Sequence, residues 1–134
     1  MTSKVLYLGG LRTKATHLKT GNTIITDAPI DNQGKGENFS PTDLIATSLA
    51  SCMLTIMGIK AREINLKIEG ASAYIEKIMS SQPRRISQIN ITINIPIHTD
   101  KKTRKMIEKV AMTCPVEMSL SRDIKRDIKF KWIA

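Results

Sequence analysis

Aromatic side chains make up only 4% of the 134 residues. That is poor material for the stacking platforms that hold single-stranded nucleic acid. Cysteine and histidine are as scarce, with Cys52, Cys114, His17 and His98 the complete set. A structural zinc site ordinarily needs four ligands at C-x-x-C type spacing, which this set does not supply. Glycine and proline, at 7 and 5, are too few for a collagen-like or low-complexity chain. No apolar run reaches the roughly 20 residues of a membrane span. The longest uncharged stretch, Leu44 to Ile59, has sixteen residues and carries several hydroxyls. It reads as the central helix of a core, with a membrane segment as the weaker alternative, and no membrane partner is expected. The opening residues, Met1 to Gly10, lack the continuous apolar stretch of a secretory signal. The expected location is therefore cytoplasmic, where paired cysteines are more often chemical than structural.

Acidic residues are also in deficit, 12 against 21 Lys and Arg, for a formal charge of +9. Such a surplus can signal an anionic partner. From Lys101 to Ala134, however, the basic residues alternate with Ile, Phe and Trp. They read as the solvated faces of a helix and a strand, and no nucleic-acid partner is expected. The remaining balance, 41% hydrophobic and 25% charged, is that of an ordinary globular chain, and the length suits one domain spanning residues 1–134. Twenty isoleucines argue for a substantial sheet.

Along the chain, Val5-Leu6-Tyr7-Leu8 is apolar on both sides, as in a buried strand. Thr20-Gly21-Asn22 is a turn signal, and Thr23 to Thr26 reads as the return strand. Asp31 to Asn38 is a polar, Gly-containing loop without a packing pattern. Ser40-Pro41-Thr42-Asp43 then places an N-cap Ser, a Pro at the first helical position and an acid three residues after the cap. The helix should run to about Arg62, and its lack of a polar face predicts burial all round. Asn65 to Ile78 and Arg85 to Ile97 read as paired strands. Ile89, Ile91, Ile93, Ile95 and Ile97 alternate with Asn90, Thr92, Asn94 and Pro96, the pattern of a half-buried strand that ends at the proline. Thr99 or Asp100 can cap a second helix to Met112, Cys114-Pro115 opens a short helix through Leu120, and Ile128, Phe130 and Trp132 alternate in a closing strand. The order is α+β with a mainly antiparallel sheet.

Cys52 lies inside the long helix and Cys114 at the start of the short one. A lone cysteine is usually a small buried hydrophobe. The short Ala50 and Ser51 leave room beside the Cys52 sulfur, and a helix start favours a thiolate at Cys114. The residues alone leave both readings open. His17 could reach a site, although a lone His on a strand is more often structural. His98 should be exposed, and Met53, Met57, Met106, Met112 and Met118 read as core filling.

Several segments together resemble the OsmC/Ohr family, the osmotically inducible and organic hydroperoxide resistance proteins, and most closely its OsmC-like branch. They are Tyr7-Leu8-Gly9-Gly10-Leu11-Arg12, Ser40-Pro41-Thr42-Asp43-Leu44 with Ala50-Ser51-Cys52, and Thr113-Cys114-Pro115-Val116 with Ser119-Leu120-Ser121. The cysteine spacing of 62 positions fits as well. The resemblance implies an OsmC-like fold with a long buried central helix, assembled as an intertwined homodimer. It implies a thiol-dependent peroxidase that reduces organic hydroperoxides, with Cys52 as the peroxidatic residue, Cys114 as the resolving residue and Arg12 as the arginine that contacts the thiolate. No bound cofactor is implied, only an external dithiol reductant protein of the lipoyl type. The apolar Leu49, Met53, Ile56 and Met112 suit an alkyl or lipid-like hydroperoxide.

One position departs from the family pattern. Many peroxidase members carry Pro-Glu at the start of the central helix, and the Glu helps to hold the arginine. Here Thr42 follows Pro41, and the first acid is Asp43, rotated by about 100° on the helix. Glu37 and Asp43 are the candidates to hold Arg12. The departure keeps an alternative open, a binding protein for a small apolar ligand without peroxidase turnover.

Overall fold

The chain begins with a meander of β1 (Ser3–Gly9), β2 (Arg12–His17) and β3 (Thr23–Asp27), in a computed structural model that describes residues 1–133. Neighbouring strands are antiparallel, in the order β1-β2-β3. Gly9, Gly10 and Leu11 turn the chain between β1 and β2 in the left-handed backbone region, which glycine enters without a Cβ penalty. The second turn is closed by the His17 N–H donating to the Asn22 carbonyl and by the His17 ring bonded to the Thr20 hydroxyl at 2.7 Å. His17 is thus a turn residue.

This meander and the start of the long helix form one unit, Met1–Ile45; the second unit begins at Ala46. The strand reading of Val5 to Leu8 holds, but the expected burial does not. Val5, Leu6, Tyr7 and Leu8 are each exposed. A single three-stranded sheet supplies no second apolar layer of its own, and a strand that is apolar on both faces needs two.

α1 (Pro41–Glu63) starts where the local chemistry places it. The Ser40 hydroxyl accepts from the Asp43 N–H at 3.0 Å, and the Asp43 carboxylate accepts from the Ser40 N–H at 2.9 Å. This reciprocal pair is a capping box with Asp in the acidic position. Along α1, Ala46, Leu49, Ala50, Met53, Met57 and Ala61 are buried as a single stripe. Ile45, Ser48, Ser51, Thr55 and Ile59 on the opposite side are exposed, so burial all round is corrected to burial of one face. Small and hydroxyl-bearing residues make that face uncharged without making it a core.

The second unit packs the rest of α1 with a sheet of order β4-β5-β6, formed by β4 (Ser72–Ser80), β5 (Arg85–Ile95) and β6 (Lys125–Trp132). β4 begins seven residues later than the apolar pattern suggested, because Asn65 and Gly70 adopt positive φ and hold residues 65–71 as a loop. β4 and β5 are antiparallel, with a register shift between Ile78 and Met79. Ile89, Ile91, Ile93 and Ile95 are all buried, as the alternation required. Each such side chain contributes about 1.5–3 kcal/mol relative to exposure. β6 joins β5 in parallel, pairing Ile91 with Ile128, Ile93 with Phe130 and Ile95 with Trp132. A parallel neighbour needs a long crossover, and here α2 (Lys101–Ala111) and α3 (Pro115–Ser119) supply it. Asp100 caps α2 by accepting from the Thr103 N–H at 2.7 Å, which holds its carboxyl below the usual range. Met53 and Met57 fill the core as expected, whereas Met112 and Met118 are exposed. The architecture is α+β, with two three-stranded sheets and one long helix.

Candidate active site

The site residues expected from the sequence divide between the two units. Arg12 belongs to the first; Cys52 and Cys114 belong to the second.

Arg12 opens β2, and its direct register partner on β3 is Asp27. Their side chains form a forked pair, Nε to Oδ1 at 2.6 Å and NH2 to Oδ2 at 3.0 Å. Asp27 is 1% exposed, and its carboxylate also accepts from the Asn38 side chain at 3.1 Å. The Arg12 hydrogen bond, reinforced by Asn38, outweighs the cost of burial and holds the Asp27 carboxyl far below the ordinary carboxylate range. The same pairing keeps the guanidinium charged. Glu37 stands farther off, at 3.7 Å from the Arg12 NH2, and is largely exposed. Asp43 is engaged in the capping box with Ser40. Of the two acids expected to hold Arg12, Glu37 is therefore a secondary partner, and the main anchor is Asp27.

The polar loop after β3 is what makes this pocket of charge. The Gly34 N–H donates to the Pro29 carbonyl, and the Gly36 N–H to the Ala28 carbonyl. A Cβ on Gly34 would stand 1.7 Å from the Ala28 carbonyl oxygen, so only glycine fits that close approach. The loop folds tightly back along the end of β3 and delivers Glu37 and Asn38 to Asp27. Loop composition alone gave no sign of this. Strand pairing could have found Asp27: four steps outward from Thr16 and Thr23, the residue opposite Arg12 is Asp27.

Cys52 lies half-buried on α1 and packs against the core; Cys114 is completely buried within it. Both are free thiols. They are 62 positions apart in the chain, yet both pack into the same core, close enough that Cys52 helps to raise the Cys114 pKa. Cys114 is the N-cap of α3, where its sulfur accepts from the Glu117 N–H at 3.4 Å. The expectation that this helix start favours a thiolate is corrected by burial. Desolvation is the largest effect and raises the Cys114 pKa; the Glu117 N–H opposes it, and Cys52 adds to it. Cys114 is accordingly a neutral thiol beside Cys52.

The surroundings are apolar. Leu49 and Met53, flanking Cys52 on α1, are buried, and Ile56, Val116 and Leu120 pack against the same core. Met112, expected beside them, is exposed. A separate open groove of about 660 Å³ lies at the C-terminal end of α1 between Leu54, Ile59, Arg62 and Lys67, and neither cysteine lines it. Two free thiols thus share one core, Cys52 half-buried on the long helix and Cys114 at a Cys-Pro helix start.

Residues 34–129 match the family model for OsmC-like proteins. The chain belongs to the OsmC-like family. A Psychrobacter arcticus protein named for osmotic-stress induction and a detoxification response is 55% identical to this OsmC-like protein; the match covers 97% of this chain and 95% of that one, with a TM-score of 0.94. An OsmC-like protein of Mycoplasma pneumoniae shares 16% identity over 98% of this chain and 96% of its own, with a TM-score of 0.82. An organic hydroperoxide resistance protein of Legionella pneumophila shares 15% identity over 98% and 97%, with a TM-score of 0.77. At such identity these last two establish the common fold. No curated protein matches the chain.

Proposed function

We propose that this OsmC-like protein is a cytoplasmic thiol peroxidase that reduces organic, alkyl or lipid-like hydroperoxides through a Cys52/Cys114 dithiol–disulfide cycle. The observation that carries the reading is that two free thiols 62 residues apart, Cys52 and Cys114, are brought into one apolar core. Membership of a family with members named for organic hydroperoxide resistance supports the substrate class.

The Cys52 thiolate attacks the terminal side of the O–O bond. The oxygen is transferred to sulfur as Cys52 sulfenic acid, and the alkoxide leaves as an alcohol after taking a proton. Cys114 then attacks the sulfenic sulfur, forming the disulfide and releasing water. A lipoyl-type dithiol protein reopens the bridge by exchange and is itself oxidised. Arg12 is assigned as the cation that favours the thiolate, by its correspondence to the family arginine; the buried Asp27 orients it in place of a Glu at Thr42. The apolar Leu49, Met53 and Ile56 favour a hydrocarbon substituent over a small polar oxidant.

The working unit is assigned as a homodimer. The exposed, uncharged face of α1 and the apolar faces of β1 are the surfaces a second copy would cover. Neither a nucleic acid nor a membrane enters this scheme.

Peroxide titration with thiol counting tests the function. One equivalent of cumene hydroperoxide should remove both free thiols and leave the mass two hydrogens lower, with hydrogen peroxide markedly slower. Two thiols persisting under excess organic hydroperoxide would overturn the reading.

A further inference from the structure

Cys114 sits at the start of a helix of only five residues, Pro115–Ser119, too short to hold its own conformation. Besides the packing of Val116 and Leu120 against the core, a side chain from β6 holds it. Arg126 Nε donates to the Glu117 carboxylate at 3.1 Å, and its NH2 to the Glu117 carbonyl at 3.4 Å. Its NH1 donates to the Ser121 carbonyl at 2.8 Å and to the Ile124 carbonyl. All four acceptors lie between Glu117 and Ile124, so one guanidinium gathers the whole segment from α3 to β6. Both side chains are well covered, at 11% exposure for Arg126 and 17% for Glu117. Arg126 in turn pairs in register with Ile89, a fully buried residue of the central strand. The sheet therefore fixes α3 through this ion pair.

The Glu117 residue that receives the clamp is also the one whose N–H donates to the Cys114 sulfur. We infer that Arg126 and Glu117 are positioning residues for disulfide closure: they hold the Glu117 N–H on the Cys114 sulfur and aim that sulfur at Cys52. The inference rests on the peroxidase reading for the formation of Cys52 sulfenic acid. In closure the Cys114 S–H gives up its proton, the Cys114 sulfur forms a bond to the Cys52 sulfur, and the Cys52 S–O bond breaks. The departing hydroxide and the proton leave as water. A buried thiol is reluctant to become a thiolate, and the Glu117 N–H on the Cys114 sulfur favours the charge as it develops. The first step involves Cys52, the hydroperoxide and the assigned Arg12, and the clamp bonds to none of them. An unclamped α3 thus lengthens the life of the sulfenic acid and exposes it to a second peroxide.

The test uses Arg126→Met, which keeps the aliphatic stem, and Glu117→Gln, which leaves the Arg126 bonds to Ser121 and Ile124 in place. Rapid-quench mass spectrometry follows both steps with cumene hydroperoxide. Consumption of the first equivalent should match the wild type, while disulfide closure slows by about ten- to a hundredfold. Cys52 sulfinic acid should accumulate at peroxide concentrations the wild type survives. Unchanged closure, or equal slowing of both steps, would overturn the inference, since a merely structural defect moves both. Diamide supplies a second arm that needs no sulfenic acid. It forms an adduct on one thiol, which the second displaces as the disulfide closes and diamide is reduced to the hydrazine. If the wild type does not react with peroxide, the peroxidase reading falls, yet slower diamide closure in both variants still supports the clamp. Equal closure with diamide in variants and wild type sinks it.

Discussion

Arg12 and Asp27 face each other as register partners on adjacent antiparallel strands, and their side chains meet as a two-pronged ion pair of 2.6 and 3.0 Å. The acid is buried while the arginine remains partly open to solvent. One end of the guanidinium is thus anchored and its charge is retained. The anchor of Arg12 is a strand-borne acid, while Asp43 caps the start of α1 with Ser40.

Replacing Asp27 with Asn removes the carboxylate but keeps the shape. Asp27→Asn should lower the Tm by several degrees at neutral pH and reduce peroxidase kcat/KM, because Arg12 loses its anchor. The pH dependence has a definite sign. The Asp27 pKa is lowered on folding, so its stabilisation is present above the unfolded value of about 3.9 and is lost as pH falls from there toward the folded value. Thermal melts from pH 7 downward should show the Asn variant losing less stability than the wild type below about pH 4.

On the proposed assignment of Arg12 as the cation that favours the Cys52 thiolate, Arg12→Ala should raise the pH at which Cys52 is alkylated by iodoacetamide. Cys114→Ser provides the background in which only Cys52 reports. An unchanged alkylation profile would show that Arg12 has been assigned to the wrong partner.

The two cysteines should fail in different ways. Cys52→Ser should abolish the first peroxide reaction. Cys114→Ser should permit one turnover and gain a single oxygen on Cys52, then two as the sulfinic acid forms. In the oxidised wild type, the Cα atoms should lie within about 7 Å, the reach of a disulfide. Peptide mapping after graded peroxide distinguishes these products.

The uncharged outer face of α1 should mediate the homodimer. Thr55 is exposed at the middle of that face. Thr55→Arg should shift the sedimentation profile from dimer to monomer while helix content by circular dichroism is retained. A dimer that persists unchanged would place the interface elsewhere.

Ser40 supplies the hydroxyl half of the capping box, and Ser40→Ala leaves the Asp43 N–H without it. A loss of about 1 kcal/mol in denaturant unfolding is expected, the usual value of an N-cap.

The helix start at Ser40-Pro41, the Asp100 cap and the Ile89 to Ile95 alternation were legible in the sequence because each is decided within a turn or a few residues. A cap needs one side chain and one nearby N–H, and a strand face needs only period two. The order and spacing of the two cysteines were legible too, but only as a pattern. Tertiary structure alone decided that Asp27, fifteen residues from Arg12, is its anchor, and that Glu37 and Asp43 are not. It likewise decided that β6 runs parallel to β5, that Arg126 clamps α3, and that burial keeps Cys114 neutral against the pull of its helix start. In each case the energy depends on which distant groups share a low-dielectric space, and sequence neighbours do not carry that information. The exposed side of α1 shows the same division. Its residues are uncharged whatever lies against them, and only packing determines which stripe of an apolar helix its own chain covers.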